Sequence, residues 1–306
     1  MDASGIKRST LIEPGTLPQE LERTPIVPIS VVVRGIARRI YLKLEGENPT
    51  GSVKYRTACS LIHTLESRKV LSKKSIVLES TSGNLGVALS YLCQTRGYRF
   101  VAVIDPKTTQ ENIAKMQAFG AELDLVDQPD QNGGYLLSRL AHIRELCERS
   151  DTYVWTDQYS SPANPLIHYL STGPEIYDQM QGRVDAVFVA VSTGGTLAGI
   201  GRFFREVSPS TVVIGVDAHG SVVFGTPAGP RKLTGIGSSR ASSFLTPDLY
   251  DTHMLVKDEE AFIFCRALWD KTGIKVGGSS GAVLAACAKY LLDHPEAASV
   301  VCVCAD

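Results

Sequence analysis

The sequence is short of net charge: 31 Lys and Arg stand against 32 Asp and Glu, a formal balance of -1 over 306 residues. A near-neutral chain lacks the basic footprint of a protein that binds nucleic acid or an anionic membrane surface. No run reaches the roughly 18 apolar residues of a membrane span. The opening MDASGIKRSTLIEPG has no apolar signal core, so the expected location is the cytoplasm. The seven cysteines are odd in number, contain no C-x-x-C pair and lie mostly in apolar segments. They read as reduced, buried thiols rather than as a disulfide framework or a metal site. Neither H-E-x-x-H nor a Walker A loop occurs, and Gly235-Ile236-Gly237 opens a G-x-G with no third glycine. Zinc-peptidase, P-loop and nicotinamide-binding readings are therefore unsupported. No repeat of 20–50 residues and no low-complexity tract is present.

What is there is ordinary globular material, 43% hydrophobic and 21% charged, in a length that suits two domains. Apolar, β-rich runs at 40–44, 76–78, 100–104, 123–126, 184–191, 212–216 and 300–303 alternate with helical-period segments. The helical segments are 53–67, 84–94, 111–119, 135–148, 165–180, 197–206, 259–271 and 281–292. Such alternation predicts an α/β fold with parallel-rich sheets flanked by helices. Continuous apolar strands such as 187–191 fit sheets buried on both faces. The segment 157–165 is polar, carries Pro162 and Pro165 and reads as a non-helical domain crossing. The irregular stretch 218–246 is too long for filler and reads as functional.

Three loops share one design. Ser80-Thr81-Ser82-Gly83-Asn84 and Ser192-Thr193-Gly194-Gly195-Thr196 each follow a strand and open a helix, and Gly277-Gly278-Ser279-Ser280-Gly281 opens the last long helix. A helix N-terminus offers unpaired N–H groups and a positive dipole end. Glycine lets an anion approach that backbone. Taken singly, each loop can also be read as simple capping by Ser or Thr. Two of them at strand C-termini point to a small ligand set with at least two anionic groups. The third loop also spells G-x-S-x-G through Gly277, Ser279 and Gly281. A serine hydrolase built on it would need a later histidine, and only His294, beside Asp293, is available.

Asn48-Pro49-Thr50-Gly51-Ser52-Val53-Lys54-Tyr55-Arg56 carries the argument further. With the three loops, Gln158 in DQYSSPANPLIH, Gly173-Pro174-Glu175-Ile176 and Gly235-Ile236-Gly237, it resembles the cysteine synthase family. The likeness runs in order from about Thr24 to the end. It implies the two-domain tryptophan-synthase-β fold (fold type II) with pyridoxal 5'-phosphate as cofactor. Residues 48–162 would form a smaller mobile domain, and 1–47 with 163–306 a larger one, with the cofactor between them. The resemblance implies that Lys54 forms the Schiff base and acts as catalytic base. It implies that Ser192, Thr193, Gly194, Gly195 and Thr196 hold the cofactor phosphate. Asn84 would bind the ring hydroxyl oxygen, and Thr81, Ser82 and Gln158 the substrate carboxylate. Ser279 would face the pyridine nitrogen, where a neutral hydroxyl makes a weaker electron sink than a carboxylate. A homodimer acting on amino-acid substrates by β-replacement is implied as well.

The sequence departs from ordinary cysteine synthases at Leu85, Tyr159 and Ser192, and at Ser238-Ser239-Arg240. With Asp130-Gln131-Asn132-Gly133-Gly134-Tyr135 and the segment 217–225, these features resemble a narrower branch, the N-(2-amino-2-carboxyethyl)-L-glutamate synthases. That branch joins O-phospho-L-serine to L-glutamate on the way to 2,3-diaminopropionate for siderophores or nonribosomal peptide antibiotics. Tyr159 and Arg240 would then serve the substrates, Arg240 as a cation for a second carboxylate or a leaving phosphate. Tyr135 reads as a packing residue. Two alternatives stand beside this reading. One is a cysteine synthase using sulfide with O-acetyl- or O-phospho-L-serine, and the other is a non-catalytic, cofactor-binding regulatory homologue.

Overall fold

A computed structural model describes residues 17–131 and 133–306. The opening segment read as free of a signal core, and Asn132 of the glycine-rich turn, lie outside the described residues. The larger of two sheets contains β1 (Ile26–Val33), β2 (Ile36–Leu44), β7 (Ala186–Ala190), β8 (Val212–Ala218), β9 (Thr252–Val256) and β10 (Val300–Cys304). Its order is β1-β2-β10-β7-β8-β9. The smaller contains β3 (Ile76–Ser80), β4 (Arg99–Ile104), β5 (Glu122–Leu125) and β6 (Tyr153–Trp155), in the order β5-β4-β3-β6. Every neighbouring pair is parallel except the β1–β2 hairpin. That hairpin turns on Arg34 and Gly35, both with left-handed backbone (φ 50° and 77°). Two such residues form the tight turn whose twist matches the flanking strands.

Four helices pack with the smaller sheet: α1 (Lys54–Ser67), α2 (Asn84–Arg96), α3 (Gln110–Ala118) and α4 (Leu136–Arg149). Five surround the larger: α5 (Ala163–Ile167), α6 (Gly173–Gln179), α7 (Gly195–Val207), α8 (Asp258–Thr272) and α9 (Gly278–Asp293). The helix expected over 165–180 is present as one helical run, Ala163–Gln179, in which α5 and α6 are joined by a π-helical turn at His168–Thr172. Pro174 has no N–H to give the ladder, and the wider turn precedes it directly. The non-helical reading of 157–165 is corrected at its end. Pro165 lies in the first turn of α5, where a missing N–H costs nothing.

Alternate residues of one strand set feed two cores. Phe188, Ile214, Val216 and Cys302 pack with Leu268, Val283 and Leu284 of α8 and α9. Val187, Val189, Val213 and Val301 pack with Ile176, Leu197, Ile200 and Phe204 of α6 and α7. Full burial of one such side chain is worth roughly 1.5–3 kcal/mol.

The strand orders locate the ligand. In the smaller sheet, β4 and β5 run out to one side of β3 and β6 lies on the other. In the larger, β8 and β9 run to one side of β7 and β10 lies on the other. Ligands of open parallel sheets bind where the order reverses, beyond the strand C-termini. Here those points fall beside 80–84 and 156–159, and beside 191–195 and 305–306. The Val53 N–H donates to the Ala305 carbonyl at 2.7 Å, fixing the start of α1 against the end of β10.

Candidate active site

All four switch-point segments open onto one cleft of about 970 Å³. Lys54, Thr81, Ser82, Asn84, Gln158, Tyr159, Ser192 and Ser279 line it together. A smaller adjoining cavity is lined by Lys54, Ser192, Thr193, Gly194 and Thr196. Gly195 begins α7 directly beside that cavity. Only Arg240 stands back from the walls, with its guanidinium 5.6 Å from the centre of the Tyr159 ring.

The capping reading holds in part for the first loop, where Thr81 Oγ1 accepts from the Gly86 N–H in the first turn of α2 at 2.9 Å, and not for the other two. The N-cap residues of α2, α7 and α9 are Gly83, Gly194 and Gly277, and none makes a side-chain capping bond. At α7 the first-turn N–H groups have no intrahelical acceptor and remain for a ligand. Gly194 adopts φ 93°, and a Cβ there would collide with Ser242. Ser242 Oγ donates to the Thr193 carbonyl at 2.6 Å, holding the loop in that shape. Asn164 lies under Gly195 with no room for a Cβ between them, and donates to Thr193 Oγ1 at 3.2 Å and to the Gln158 carbonyl at 2.7 Å. Ser192 Oγ donates to the Gly237 carbonyl at 3.1 Å, tying in the 234–237 loop. A tight N–H cradle, bare of Cβ atoms and next to a lysine, suits a phosphate on an aldehyde cofactor.

Lys54 is the first residue of α1. Burial drives its pKa down to about 8, against the opposing pull of the Glu79 carboxylate. About a tenth is then free amine at pH 7, far more than for an ordinary lysine, and this is the form that acts as nucleophile and base. α1 is anchored two residues on. Arg56 reaches Glu45 and Glu175 at 2.7 Å each, and Glu175 also holds Lys43 at 2.6 Å. All four side chains are buried or nearly so. Breaking one partner of such a buried network costs several kcal/mol.

The structure adds residues that the sequence reading missed. Glu79 is fully buried at the end of β3 and accepts from the N–H groups of Ser80 (2.8 Å) and Gln158 (3.0 Å), and from Thr156 Oγ1. It joins the two loops that would grip the substrate carboxylate. Burial raises its pKa to about 7, with these hydrogen bonds pulling the other way. His168 lies under the phosphate loop, its Nε2 3.3 Å from both Thr57 Oγ1 and Thr196 Oγ1. Burial, with Arg56 and Lys54 nearby, lowers its pKa well below the usual value and keeps the imidazole neutral.

Arg139 is the most telling addition. It lines the cleft from α4, is 6% exposed, and meets Asp105 at 3.4 Å without hydrogen-bond alignment. Its Nε and Nη1 have no hydrogen-bond partner. Lys107, Asn112 and Tyr159 share the wall. Burial pushes the Tyr159 hydroxyl up to about 12, against the pull of Arg139 and Arg240, and leaves it protonated. A signal for Arg139 existed in the sequence, since it falls on the buried stripe of α4 with Leu136, Leu140 and Ile143.

Other readings are settled by distance. His294 ends α9 and Ser279 begins it, so roughly 22 Å of helix separates them and no hydrolase pair forms. The seven cysteines are free thiols. Among the described residues there is no metal-holding cluster and no helix long and apolar enough to cross a membrane. Tyr135 packs under Lys107, with Nζ 5.4 Å from the ring centre.

An α/β fold with a lysine between a bare N–H phosphate cradle and a hydroxyl-rich carboxylate loop defines a cofactor-dependent lyase or synthase of amino acids. Comparison with known proteins makes this specific: the chain belongs to the pyridoxal-phosphate dependent enzyme family (PALP), whose model matches residues 17–306. It is 38% identical over 277 residues to an N-(2-amino-2-carboxyethyl)-L-glutamate synthase of Cupriavidus metallidurans, covering 90% of this chain and 81% of the relative. It is 38% identical over 268 residues to the enzyme of that name from Ralstonia nicotianae, covering 88% and 79%. A hydrogen sulfide-producing enzyme from Fusobacterium nucleatum superposes with TM-score 0.87 at 28% identity, covering 95% and 97%. An O-acetylserine dependent cystathionine beta-synthase from Helicobacter pylori does so with TM-score 0.85 at 29% identity, covering 95% and 94%. The fold is fold type II, the cofactor is pyridoxal 5'-phosphate, and the chain is a β-replacement synthase.

Proposed function

We propose that the enzyme joins O-phospho-L-serine to L-glutamate, giving N-(2-amino-2-carboxyethyl)-L-glutamate and phosphate. The observation that carries this reading is Arg139 in the cleft wall, whose Nε and Nη1 lack a hydrogen-bond partner and whose carboxylate neighbour, Asp105, stands at 3.4 Å. A guanidinium so placed has donors left for a second oxyanion beside Asp105, and the donor's phosphate supplies one. Two relatives bearing the synthase name agree with the reading.

Pyridoxal phosphate supplies the electron sink that acidifies Cα and lets the β-substituent leave. The chain does the rest. The α7 N-terminus with Ser192–Thr196 holds the cofactor phosphate, Asn84 and Ser279 orient the ring, and Thr81, Ser82 and Gln158 hold the donor carboxylate. Lys54 takes the Cα proton and later returns it. The Cβ–O bond to phosphate breaks while Arg139 and Lys107 hold the departing anion. The glutamate amine, having lost a proton, forms the new Cβ–N bond beside Tyr159 and Ser192, with Arg240 steadying the Tyr159 ring. Residues 48–162 act as a smaller domain that closes over the substrate, with 1–47 and 163–306 as the larger. We further infer a homodimer working in the cytoplasm, where the free thiols stay reduced, and a product destined for 2,3-diaminopropionate in a siderophore or peptide antibiotic.

The test is product analysis by mass spectrometry after incubating purified enzyme with O-phospho-L-serine and either L-glutamate or sulfide. The N-linked adduct from the glutamate arm is expected. Cysteine from the sulfide arm alone would make the protein a cysteine synthase. No product in either arm, with cofactor bound, would favour the regulatory homologue.

A further inference from the structure

The register of β3 with β6 ends at the pair Leu78–Trp155, and the crevice of the smaller sheet opens between the two strands beyond it. A buried carboxylate fills that crevice. Glu79 is 0% exposed, and every group bonded to its oxygens is a donor. Oε1 accepts from the Ser80 N–H at 2.8 Å and, at 3.5 Å, from the Trp155 indole N–H. Oε2 accepts from the Gln158 N–H at 3.0 Å and from the Thr156 hydroxyl. One oxygen therefore holds the residue that begins the 80–84 loop. The other holds two residues of the segment that leaves β6.

Those two residues flank Asp157, whose backbone is left-handed at φ 48°. A non-glycine residue keeps such a backbone only where its surroundings over-determine it. Two donors converging on one Glu79 oxygen, one from each side of Asp157, do so here. Gln158 then reaches back to β3, and its Nε2 donates to the Ser80 carbonyl at 3.0 Å. Ser80 is thus held by its N–H and by its carbonyl, and Thr81 and Ser82 leave from a fixed point. A carboxylate accepts on both oxygens. A glutamine has the same shape but one acceptor oxygen, so its amide hydrogens would face N–H or O–H donors on one side of the crevice.

We propose that Glu79 is a positioning residue for the donor amino acid: it sets the spacing between the Thr81–Ser82 loop and Gln158, and through that spacing the grip on the donor's α-carboxylate. This rests on the assignment of Thr81, Ser82 and Gln158 to that carboxylate.

The experiment is a titration of the holoenzyme with O-phospho-L-serine, followed in the visible cofactor spectrum, for wild type, Glu79→Gln, Thr156→Val and Gln158→Ala. It is run at pH 8, above the Glu79 pKa of about 7. The amplitude gives donor affinity, and stopped flow gives the rate at saturating donor. Glu79→Gln should weaken donor affinity by ~10-fold or more, the scale of losing one charge-assisted hydrogen bond, with the cofactor band and the saturating rate unmoved. Thr156→Val removes one donor and leaves the carboxylate, so it should shift affinity the same way by less. Unchanged affinity in Gln158→Ala would remove the carboxylate assignment, and the proposal with it. Affinity weakened by Gln158→Ala but not by Glu79→Gln overturns the proposal alone. So does a Glu79→Gln loss that falls equally on the cofactor band, the mark of general damage to the fold. If Glu79→Gln fails to fold, Thr156→Val decides, and full donor affinity there overturns the proposal.

Discussion

The two walls of the cleft offer an anion different groups. The wall beyond the larger sheet uses backbone: Gly194, Gly195 and the open N–H groups of α7, with Ser and Thr as its side-chain donors. The wall beyond the smaller sheet uses charge as well, through Arg139 and Lys107 beside Gln158 and Tyr159. A backbone cradle is rigid and serves a cofactor that stays. Side-chain cations release their anion more readily and can be varied one residue at a time, which serves substrates that come and go. On the proposed function, reaction identity resides in the second wall and cofactor identity in the first.

The sharpest way to break this division is at the residue both walls share. Lys54→Ala should remove the visible cofactor band and lower turnover by ~10⁴-fold or more, the scale of losing a covalent catalyst that is also the base. Retained turnover would remove Lys54 from the chemistry.

Next comes the cradle. Gly194→Ala forces a Cβ into Ser242 at φ 93°. Left-handed backbone alone costs a non-glycine residue about 1–2 kcal/mol, so cofactor affinity should fall at least ~10-fold. Fluorescence titration of the cofactor-free protein measures it. Unchanged affinity would mean that α7 does not hold the phosphate.

A smaller effect is expected from Tyr159→Phe with Ser192→Gly, each hydroxyl being worth about 1 kcal/mol. Stopped-flow absorbance should show the glutamate step slowed more than the phosphoserine step. Equal slowing would deny both residues an acceptor role.

The smallest is a pH effect. Because the Lys54 pKa lies near 8 rather than 10.5, the rate of cofactor uptake should rise with pH up to about 8 and level off above it. The stability consequence has the same sign. The unfolded chain binds the proton more tightly, so the Lys54 contribution falls as pH drops from 10.5 to about 8 and is constant below. Uptake that keeps rising to pH 10 would show an unperturbed lysine.

The difference between the walls also governs what the sequence makes legible. Glycines and hydroxyls at strand ends form contiguous words, so the backbone wall was readable from 192–196 and 277–281 and the hydroxyl loop of the opposite wall from 80–84, and the alternation of strands and helices gave the α/β class. The edge strands β1, β6 and β9 were missed because their residues are mostly half-exposed and their apolar stretches are short, broken in β1 by Pro28 and Ser30. Arg139, Glu79 and His168 were missed for another reason. Each is one charged or titratable residue in a regular element, and only tertiary packing turns it toward the site. Arg139 resembles the solvated charges further along α4, Glu145 and Arg149, until its burial is known.

The central claim is that the two walls are separable, and Arg139→Ala tests it most directly. Cofactor affinity and kcat/KM for O-phospho-L-serine would be measured on the same preparation. Loss of a charge-assisted pair to phosphate is worth about 1.5–3 kcal/mol. The account predicts unchanged cofactor affinity with a fall of ~10- to 100-fold in kcat/KM. Equal loss of both, or full phosphoserine activity without the guanidinium, would contradict it.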